Sequence, residues 1–511
     1  MSNSIKSILI VGGGTAGWMT ALYLNRFLDP AKCRITLLES AQIGTIGVGE
    51  ATVPPLTGFL RLMGIAEDEF LLRCHATYKL GIKFINWHRG EESIWHPFGH
   101  VGASQVEGLP LFHHWLRHQR LGHKDGPYTA YSLQATLGDL GRAPRELTRG
   151  SVVTQQGGYA FHLDAGAFAA FMAETGKRRG VQHIVDEAGE IKLDERGFIS
   201  AVGTAQHGAL SADLYVDCSG FSGLLIEKAL GDRHVDWSRY LFCDTAVVMP
   251  LPRETTPPPY TRATALDAGW AWRIPLTNRT GCGYVYSSRF ISTEEATREF
   301  VTHSGADPAQ CDPRHISMRI GRRENFWLRN CVSIGLAAGF LEPLESTGMF
   351  LIQKGVEQLL DHFPDASFDA ALIKHYNTRM AAAFEEVRDF IILHYALNQR
   401  EDNGFWRANR NAALPSSLSQ TLTYYEHTGM VDWARHMLFQ EASFYAIATG
   451  FGRLPRTHHP MAEFADANKA WLAMQAIKAQ NLALAQSMPA HGPLLEALAR
   501  EHARQRGEAG R

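Results

Sequence analysis

The sequence predicts an α/β fold that opens with a strand, a glycine-rich turn, a helix and a second strand, and ends in helices. The opening unit combines apolar runs, glycines and an acid, in the order Ile8–Val11, Gly12–Gly17, Trp18–Phe27, Arg34–Leu38 and Glu39. Short apolar segments between residues 184 and 216 indicate further strands. From Phe350 onward, helical patterns dominate.

The chain is predicted to divide into two regions. Residues 1–350 would form a nucleotide-binding core with interleaved β-rich segments, and residues 351–511 a mainly helical region that covers the substrate site. The expected helices are Phe350–His362, Phe368–Leu397, Asp432–Gly450 and Ala462–Leu484. The stretch Gly90–Arg149 is rich in His, Gly and Pro, which predicts an elaborated loop.

The bulk composition is ordinary for a globular protein. It argues against a nucleic-acid-binding protein, a membrane protein and a disulfide-rich protein. A net charge of −2 gives no reason to expect nucleic acid or an anionic membrane as a partner. No apolar run is long enough to span a membrane, and no signal-peptide layout precedes the first strand. The seven cysteines are scattered without a CxxC pair, so neither a disulfide framework nor a metal site is expected. The reducing cytoplasm is the expected location.

The glycine turn supplies what a pyrophosphate needs. In Gly12-x-Gly14-x-x-Gly17 the glycines permit a tight turn, and the following helix directs its first N–H groups at the phosphates. Glu39 follows about twenty residues further on, where an acid accepts hydrogen bonds from a ribose. The alternative is a tight turn without a ligand, but strand, turn, helix, strand and acid occur in the order that dinucleotide binding requires.

Two later segments favour FAD over NAD. Val216–Gly220 and Cys331–Phe340 both have the pattern of buried strands that end in small residues. FAD-binding folds use such late segments to close over the ribityl chain and flavin, although each segment alone could be plain core. No second GxGxxG occurs, so the sequence indicates no NAD(P)H domain, and FADH2 is expected from a separate flavin reductase.

Four further segments carry a specific resemblance. They are Gly269–Pro275, which contains Trp270-x-Trp272-x-Ile274-Pro275, then Phe340–Gly348, Gly47–Pro54, and Tyr78-Lys79 followed by Lys83–Trp87. Together with the glycine turn they resemble the flavin-dependent tryptophan halogenases, from the first strand to about Pro455. The resemblance implies an FAD-binding Rossmann-like domain of the flavin monooxygenase and halogenase type, with β-rich substrate segments and a helical C-terminal part.

The resemblance also implies a reaction. In such enzymes FADH2, oxygen and a halide ion give hypohalous acid, which travels through a tunnel to a lysine beside the substrate. Lys79 resembles that lysine, and Glu345 resembles the glutamate beside the reacting carbon. The expected halide-site residues are Ser346, Thr347 and Gly348, with Ser346 between the two sites. Trp270 and Trp272 resemble the tryptophans that separate substrate from flavin.

The expected FAD-binding residues come from the glycine turn and from several later positions. They are Gly12, Gly14, Thr15, Ala16, Gly17, Glu39, Ser40, Ile43, Val48, Ala51, Val185, Leu336 and Met349. The other expected ligands are a halide ion and a small aromatic substrate. The resemblance allows a homodimer, for which the sequence identifies no interface.

The chemistry requires these residue types independently. A lysine can hold hypohalous acid by a hydrogen bond or as a haloamine, and either polarises the halogen. A carboxylate at Glu345 would stabilise the cationic ring intermediate and accept its proton. The backbone turn at 347–348 offers N–H donors for a halide. Structural alternatives remain open: Lys79 as a surface group, Glu345 as an acid at a helix N-terminus, and the tryptophans as ordinary core.

The substrate positions depart from the family in one respect. His96 and Phe98 resemble the His-x-Phe that sandwiches an indole ring. The amino-acid clamp is altered, because Phe439 takes the place of a tryptophan and Ala434 that of a glutamate, while Tyr424-Tyr425 aligns ambiguously. A site that fails to pair an ammonium and a carboxylate rejects the zwitterion. An indole-type ring, or a larger substrate, is therefore expected rather than free tryptophan.

Two other functions are alternatives to halogenation. A flavin-dependent aromatic monooxygenase is the main alternative, and the Trp-x-Trp-x-Ile-Pro segment and Lys79 argue against it. A non-catalytic flavin- or indole-binding protein is disfavoured by the intact Lys79, Glu345 and Thr347-Gly348. The choice between chlorination and bromination is left open.

Overall fold

The computed structural model describes residues 4–42, 49–90, 92–103, 105–123, 125–147, 151–153, 158–307, 312–432 and 438–509. The chain forms two compact units, each built from separate stretches of sequence. The first unit comprises Met1–His75, Leu163–Ser238 and Met318–Val387. The second comprises Ala76–His162, Arg239–Ser317 and Arg388–Arg511.

A six-stranded sheet forms the centre of the first unit. Its strands lie in the order Trp327–Leu328, Cys331–Ser333, Leu214–Asp217, Ser7–Val11, Arg34–Glu39 and Gln182–Val185. All neighbours are parallel except the first pair. The apolar run that predicts the first strand is buried between its two neighbours, with Ile10 opposite both Leu37 and Val216. The parallel order confirms the predicted α/β unit.

Helices and smaller strands complete the first unit. The helices are Thr15–Phe27, Pro55–Leu62, Glu67–Arg73, Ala165–Arg178 and Gly348–Asp361, followed by the first part of Ala370–Leu397. Two three-stranded sheets consist of Ala188–Leu193, Ile199–Thr204 and Ala209–Leu210, and of His234–Asp236, Gly321–Arg323 and Gly339–Phe340. Gly49–Ala51 is a further strand, and short helical turns occur at Gly220–Ser222, Leu224–Ala229, Gly335–Ala337 and Pro343–Glu345.

A seven-stranded sheet dominates the second unit. Its order is Arg314–Ser317, Thr245–Leu251, Thr280–Tyr286, Gly269–Pro275, Thr261–Leu266, Gly81–Ile85 and Ser93–Pro97. Thr77–Lys79 pairs with the strand Ala160–Asp164. The helices are Leu111–Arg120, Leu133–Asp139, Thr293–Ser304, Gly404–Arg410, Ser416–Thr428, Glu441–Gly450, Ala467–Ser487 and His491–Ala509, with short turns at Tyr128–Tyr131 and Pro460–Glu463.

The helical C-terminal part is confirmed, since every regular element described after Phe340 is helical. Two finer predictions were wrong. The stretch Gly90–Arg149 is not one loop: it contains a strand and two helices, and most of its helix Leu111–Arg120 is buried, histidines included. The helix expected from Asp432 begins at Glu441. Among the described helices, none is long and apolar enough to cross a membrane.

Candidate active site

The glycine turn joins the first strand to the first helix, as predicted. Gly12 has a φ of +120°, and a Cβ there would overlap the Cys218 carbonyl, lying 2.5 Å from its carbon. Gly17 is in the first helix, where a Cβ would overlap the Gly12 carbonyl oxygen. The helix cap, Gly14, has no side chain to cap the first N–H groups, and Thr15 and Ala16 follow it. This arrangement fits a pyrophosphate, since those N–H groups and the helix dipole favour an anion.

Glu39 lies against this turn. A Cβ on Gly13 would overlap the Glu39 side chain, lying 2.6 Å from its Cβ, so glycine is needed for the acid to lie there. His183 Nε2 donates to Glu39 Oε2 at 2.8 Å, and its ring lies 5.1 Å from that of Trp18. The carboxylate is therefore oriented beside the turn, where a ribose hydroxyl would donate to it. His183 was not predicted, because its strand carries no pattern that marks a ligand.

The segment Cys331–Phe340 reaches the same turn. Gly335 has a φ of +74°, and a Cβ there would lie 2.6 Å from the Cβ of Ala16 in the first turn of the helix. Leu336, which follows, is half-buried. A segment more than three hundred residues along the chain thus packs on the glycine turn, as a late FAD-closing segment would.

The remaining expected FAD-binding residues occupy varied positions. Ser40 follows the second strand and donates its hydroxyl to Glu187 at 2.5 Å, and Val185 lies opposite Glu39 with 48% of its surface exposed. Ala51 is buried in Gly49–Ala51, where burial also raises the pKa of Glu50 to about 7. Met349 is buried in the first turn of Gly348–Asp361. Ile43 and Val48 lie outside the described residues.

The expected halide turn precedes this same helix. Ser346 has a φ of +60°, Thr347 occupies the cap position, and Gly348 begins a helix of 14 residues. The Thr347 side chain makes no cap hydrogen bond to the first N–H groups of the helix. The preceding turn holds Glu345, whose side chain is fully buried. A buried carboxylate and a helix N-terminus therefore stand next to each other in the chain.

In the second unit, Lys79 ends the strand Thr77–Lys79, which is called the lysine strand below. All three of its residues are fully buried. The Lys79 ammonium lies 5.0 Å from the centre of the Phe98 ring, in cation–π contact. This burial excludes the alternative that Lys79 is a surface residue. Its ammonium lies against the aromatic ring of Phe98.

Aromatic rings surround His96, which is also an expected substrate residue. Its ring centre lies 5.3 Å from that of Phe390 and 6.3 Å from that of Phe439. Phe390 and Phe439 stack at 3.9 Å. Phe390 was missed, because in the sequence it is one of many apolar residues of a long helix. The three rings thus pack against one another as a cluster of aromatic side chains.

Trp270 and Trp272 lie on one face of Gly269–Pro275, as their spacing predicts. Their ring centres are 6.1 Å apart, and both are buried. Gly283 lies across from Trp272, and a Cβ there would overlap the indole ring. The buried Trp272 Nε1 has no hydrogen-bond partner among the residues the structure describes. Glycine thus makes room for a large ring with an unused donor.

Tyr424 and Tyr425 belong to the helix Ser416–Thr428. Tyr424 is 42% exposed, whereas Tyr425 is buried and donates its hydroxyl to the Arg453 carbonyl oxygen at 2.8 Å. The Tyr425 ring packs between Phe444 and Tyr445, with centres 5.1 and 6.1 Å away. One hydroxyl is therefore engaged in the core and the other side chain faces solvent. Ala434 lies outside the described residues.

The chain resembles known proteins over most of its length. The family model for tryptophan halogenase matches residues 7–467. The chain is 41% identical to the tryptophan 6-halogenase SttH of Streptomyces toxytricini, over 81% of this chain and 83% of that one. It is 38% identical to the tryptophan 7-halogenase RebH of Lentzea aerocolonigenes, over 90% and 92%. The solved structure of BrvH, a flavin-dependent halogenase from Brevundimonas sp. BAL3, matches with a TM-score of 0.90 and 38% identity, covering 97% of this chain and all (100%) of that one.

Proposed function

We propose that this chain, which belongs to the tryptophan halogenase family and is a flavin-dependent halogenase, chlorinates or brominates an indole-type ring with hypohalous acid held at Lys79. The family membership rests on a match over residues 7–467. The substrate, the route of the halogen and the roles of single residues are the proposal. The fully buried Lys79 ammonium, 5.0 Å from the Phe98 ring, is the observation that carries it.

FAD would be held by the glycine turn, with Glu39 on its ribose and the segment around Leu336 closing behind Ala16. When bound and reduced, FAD would supply the two electrons that reduce oxygen to the peroxide level, and that oxidant would take two electrons from the halide to give hypohalous acid. The reduced cofactor would come from a separate flavin reductase, since the sequence contains no second glycine-rich dinucleotide turn. The halide would be bound by backbone N–H groups at Thr347 and Gly348, where the helix dipole favours an anion.

Lys79 would donate a hydrogen bond to the oxygen of hypohalous acid. The ring carbon attacks the halogen with a π-electron pair, the O–X bond breaks, and its electron pair leaves with the oxygen. The ammonium stabilises the negative charge that develops on that oxygen. Glu345 would accept the proton that the ring loses, so the net change is replacement of H by X with release of water. Burial of Lys79 supports this role, because an ammonium acts most strongly where water is excluded.

The aromatic cluster of His96, Phe390 and Phe439 supports a flat apolar substrate. Trp270 and Trp272 would keep that substrate away from the flavin, which suppresses ring hydroxylation. The engaged hydroxyl of Tyr425 and the exposed Tyr424 argue against a tyrosine clamp for an amino acid. We therefore assign indole as the substrate, or a molecule that contains an indole ring but no zwitterionic group. Free tryptophan is expected to be a poorer substrate.

A substrate competition tests this function. The purified protein would be given FAD, a flavin reductase, NADH, bromide or chloride, and equal concentrations of indole and tryptophan. Product masses would be recorded for each halide. The expected result is a halogenated indole in at least tenfold excess over halogenated tryptophan, since an unpaired zwitterion costs more than 1.4 kcal/mol to bury.

Two outcomes would contradict the proposal. A dominant halogenated tryptophan would mean that an amino-acid clamp exists despite the changed residues. A ring-hydroxylated product without any halogenated one would indicate a monooxygenase.

A further inference from the structure

The lysine strand has a histidine on the same face as its lysine. Side chains alternate along a strand, so Thr77 and Lys79 share one face and Tyr78 the other. Thr77 lies opposite His162 and Lys79 opposite Ala160. The small Ala160 leaves room beside the lysine, and His162 is its diagonal neighbour, at a spacing that a long side chain can span. Lys79 and His162 are both fully buried.

His162 belongs to a chain of hydrogen bonds with a fixed direction. The Thr77 hydroxyl donates its single hydrogen to the Pro275 carbonyl oxygen at 2.7 Å. Its 2.9 Å contact with His162 Nδ1 must therefore be a bond that Nδ1–H donates. His162 Nε2 lies 2.9 Å from the Thr261 hydroxyl, which donates to the neutral ring. The lysine strand is thus tied through His162 to two neighbouring strands.

A second histidine holds the backbone of the lysine strand. His491, the first residue of the last helix, donates from Nδ1 to the Pro257 carbonyl oxygen at 2.8 Å. Its Nε2 accepts from the backbone N–H of Tyr78 at 3.1 Å. An imidazolium has no acceptor, so this geometry requires a neutral His491. Burial lowers the pKa of His491 to about 4.

Both rings are therefore neutral at ordinary pH. The pKa of His162 is lowered well below its usual value, first by burial and then by the nearby charge of Lys79. A charge on either ring would repel the ammonium of Lys79 in an environment that screens it poorly. Neutral rings can fix the strand by hydrogen bonds without that repulsion.

We propose that His162 and His491 are positioning residues that hold the lysine strand and aim Lys79 at hypohalous acid. His162 acts through the Thr77 side chain and His491 through the Tyr78 backbone. The inference rests on the proposed role of Lys79. A displacement of about 1 Å at a reacting group can cost about 100-fold in rate, so loss of either anchor should be visible in halogenation.

A crossed pair of substitutions separates positioning from packing. At His162 the essential donor is Nδ1, which the amide nitrogen of Asn reproduces and that of Gln does not. At His491 the essential acceptor is Nε2, which the amide oxygen of Gln reproduces and that of Asn does not. His162→Asn should therefore keep a higher kcat for halogenation than His162→Gln, and His491→Gln a higher kcat than His491→Asn. Packing alone predicts that Gln, nearer in size to His, is better at both positions.

The assay records halogenated indole and oxygen consumed by the holoenzyme, with unfolding midpoints for every variant. For His162→Asn and His491→Gln, kcat for halogenation should stay within about tenfold of that of the unsubstituted enzyme. For His162→Gln and His491→Asn, it should fall about 100-fold. The KM for indole and the oxygen consumption should be unchanged. More hypohalous acid should reach a soluble halogen scavenger. Exposed His315, substituted with Asn and Gln, is the matched control and should halogenate normally.

The inference is overturned if Gln is better at both positions, or if all four variants halogenate as efficiently as the unsubstituted enzyme. It is also overturned if kcat falls only in step with the unfolding midpoint. Lys79→Ala, assayed in parallel, identifies a failure of the proposed function itself: if that variant halogenates normally, Lys79 does not hold the halogen, whatever the histidine variants do.

Discussion

Substitution of Gly12 by alanine tests whether the glycine turn binds FAD. Backbone hydrogen bonds fix the turn to both neighbouring strands. The Gly12 N–H donates to the Leu38 carbonyl oxygen at 2.9 Å, and the Cys218 N–H donates to the Val11 carbonyl oxygen at 2.8 Å. A Cβ on Gly12 would overlap the Cys218 carbonyl, 2.5 Å from its carbon, and would sit on a residue with a φ of +120°. The turn cannot relieve the overlap without breaking these bonds.

The size of the effect follows from that geometry. A non-glycine residue held in so sparsely populated a backbone conformation costs about 1–3 kcal/mol. If the turn shifts to relieve this strain, the N–H groups of the first helix no longer meet the pyrophosphate. An equal loss of binding energy would weaken FAD affinity by about 5- to 150-fold, at 1.4 kcal/mol for each factor of ten.

The assay is a fluorescence titration of FAD into Gly12→Ala, with circular dichroism and an unfolding curve to establish that the variant is folded. Gly58→Ala is the matched control, because Gly58 lies in a helix with nothing within 4 Å of its added Cβ. That variant should bind FAD normally and gain up to about 1 kcal/mol of stability. Lowered stability of Gly12→Ala with unchanged FAD affinity would refute the reasoning, since the glycine would then serve strand packing alone.

Three further predictions concern single side chains. Because the pKa of His491 is lowered to about 4 and an unfolded histidine titrates near 6.5, the unfolded chain binds the extra proton below pH 6.5. Acidification from pH 7.5 to 5 should therefore cost the unsubstituted protein about 2 kcal/mol more than His491→Asn in urea unfolding; equal losses would contradict this. Tyr425→Phe should cost about 1–3 kcal/mol by leaving the Arg453 carbonyl without its donor, yet leave the preference for indole over tryptophan unchanged in competition, as should Tyr424→Phe. Glu345→Gln should lower kcat for halogenation about 100- to 10,000-fold at an unchanged KM for indole, and a normal kcat would exclude it as the base.

The parts of the fold that local patterns dictate were predicted well. Apolar runs, the glycine turn and Glu39 lie within forty residues of one another, so their order was sufficient to predict the parallel unit. The Trp270-x-Trp272 spacing likewise places both side chains on one face of a strand. In these places the local conformation, and the face on which a side chain lies, follow from the order of neighbouring residues in the chain.

The parts that depend on distant contacts were not predicted. The helix Leu111–Arg120 carries no helical pattern of polar and apolar residues, because seven of its ten residues are buried and three of these are histidines. His491 is 413 residues from Tyr78, whose backbone it holds. Phe390 joins His96 only after a long helix has been placed. No local pattern in the sequence carries such information.

The central claim is that Lys79 carries the halogen to the ring, and comparison of Lys79→Ala with Lys83→Ala tests it most directly. Lys83 is the control, since it lies four residues away and pairs with Asp139 at 2.9 Å on the partly exposed side of its strand. Halogenated indole and oxygen consumption would be measured together. Lys79→Ala should yield no halogenated product while consuming oxygen at the normal rate, and Lys83→Ala should behave as the unsubstituted enzyme. Halogenation by Lys79→Ala, or a parallel loss of its oxygen consumption, would contradict the claim.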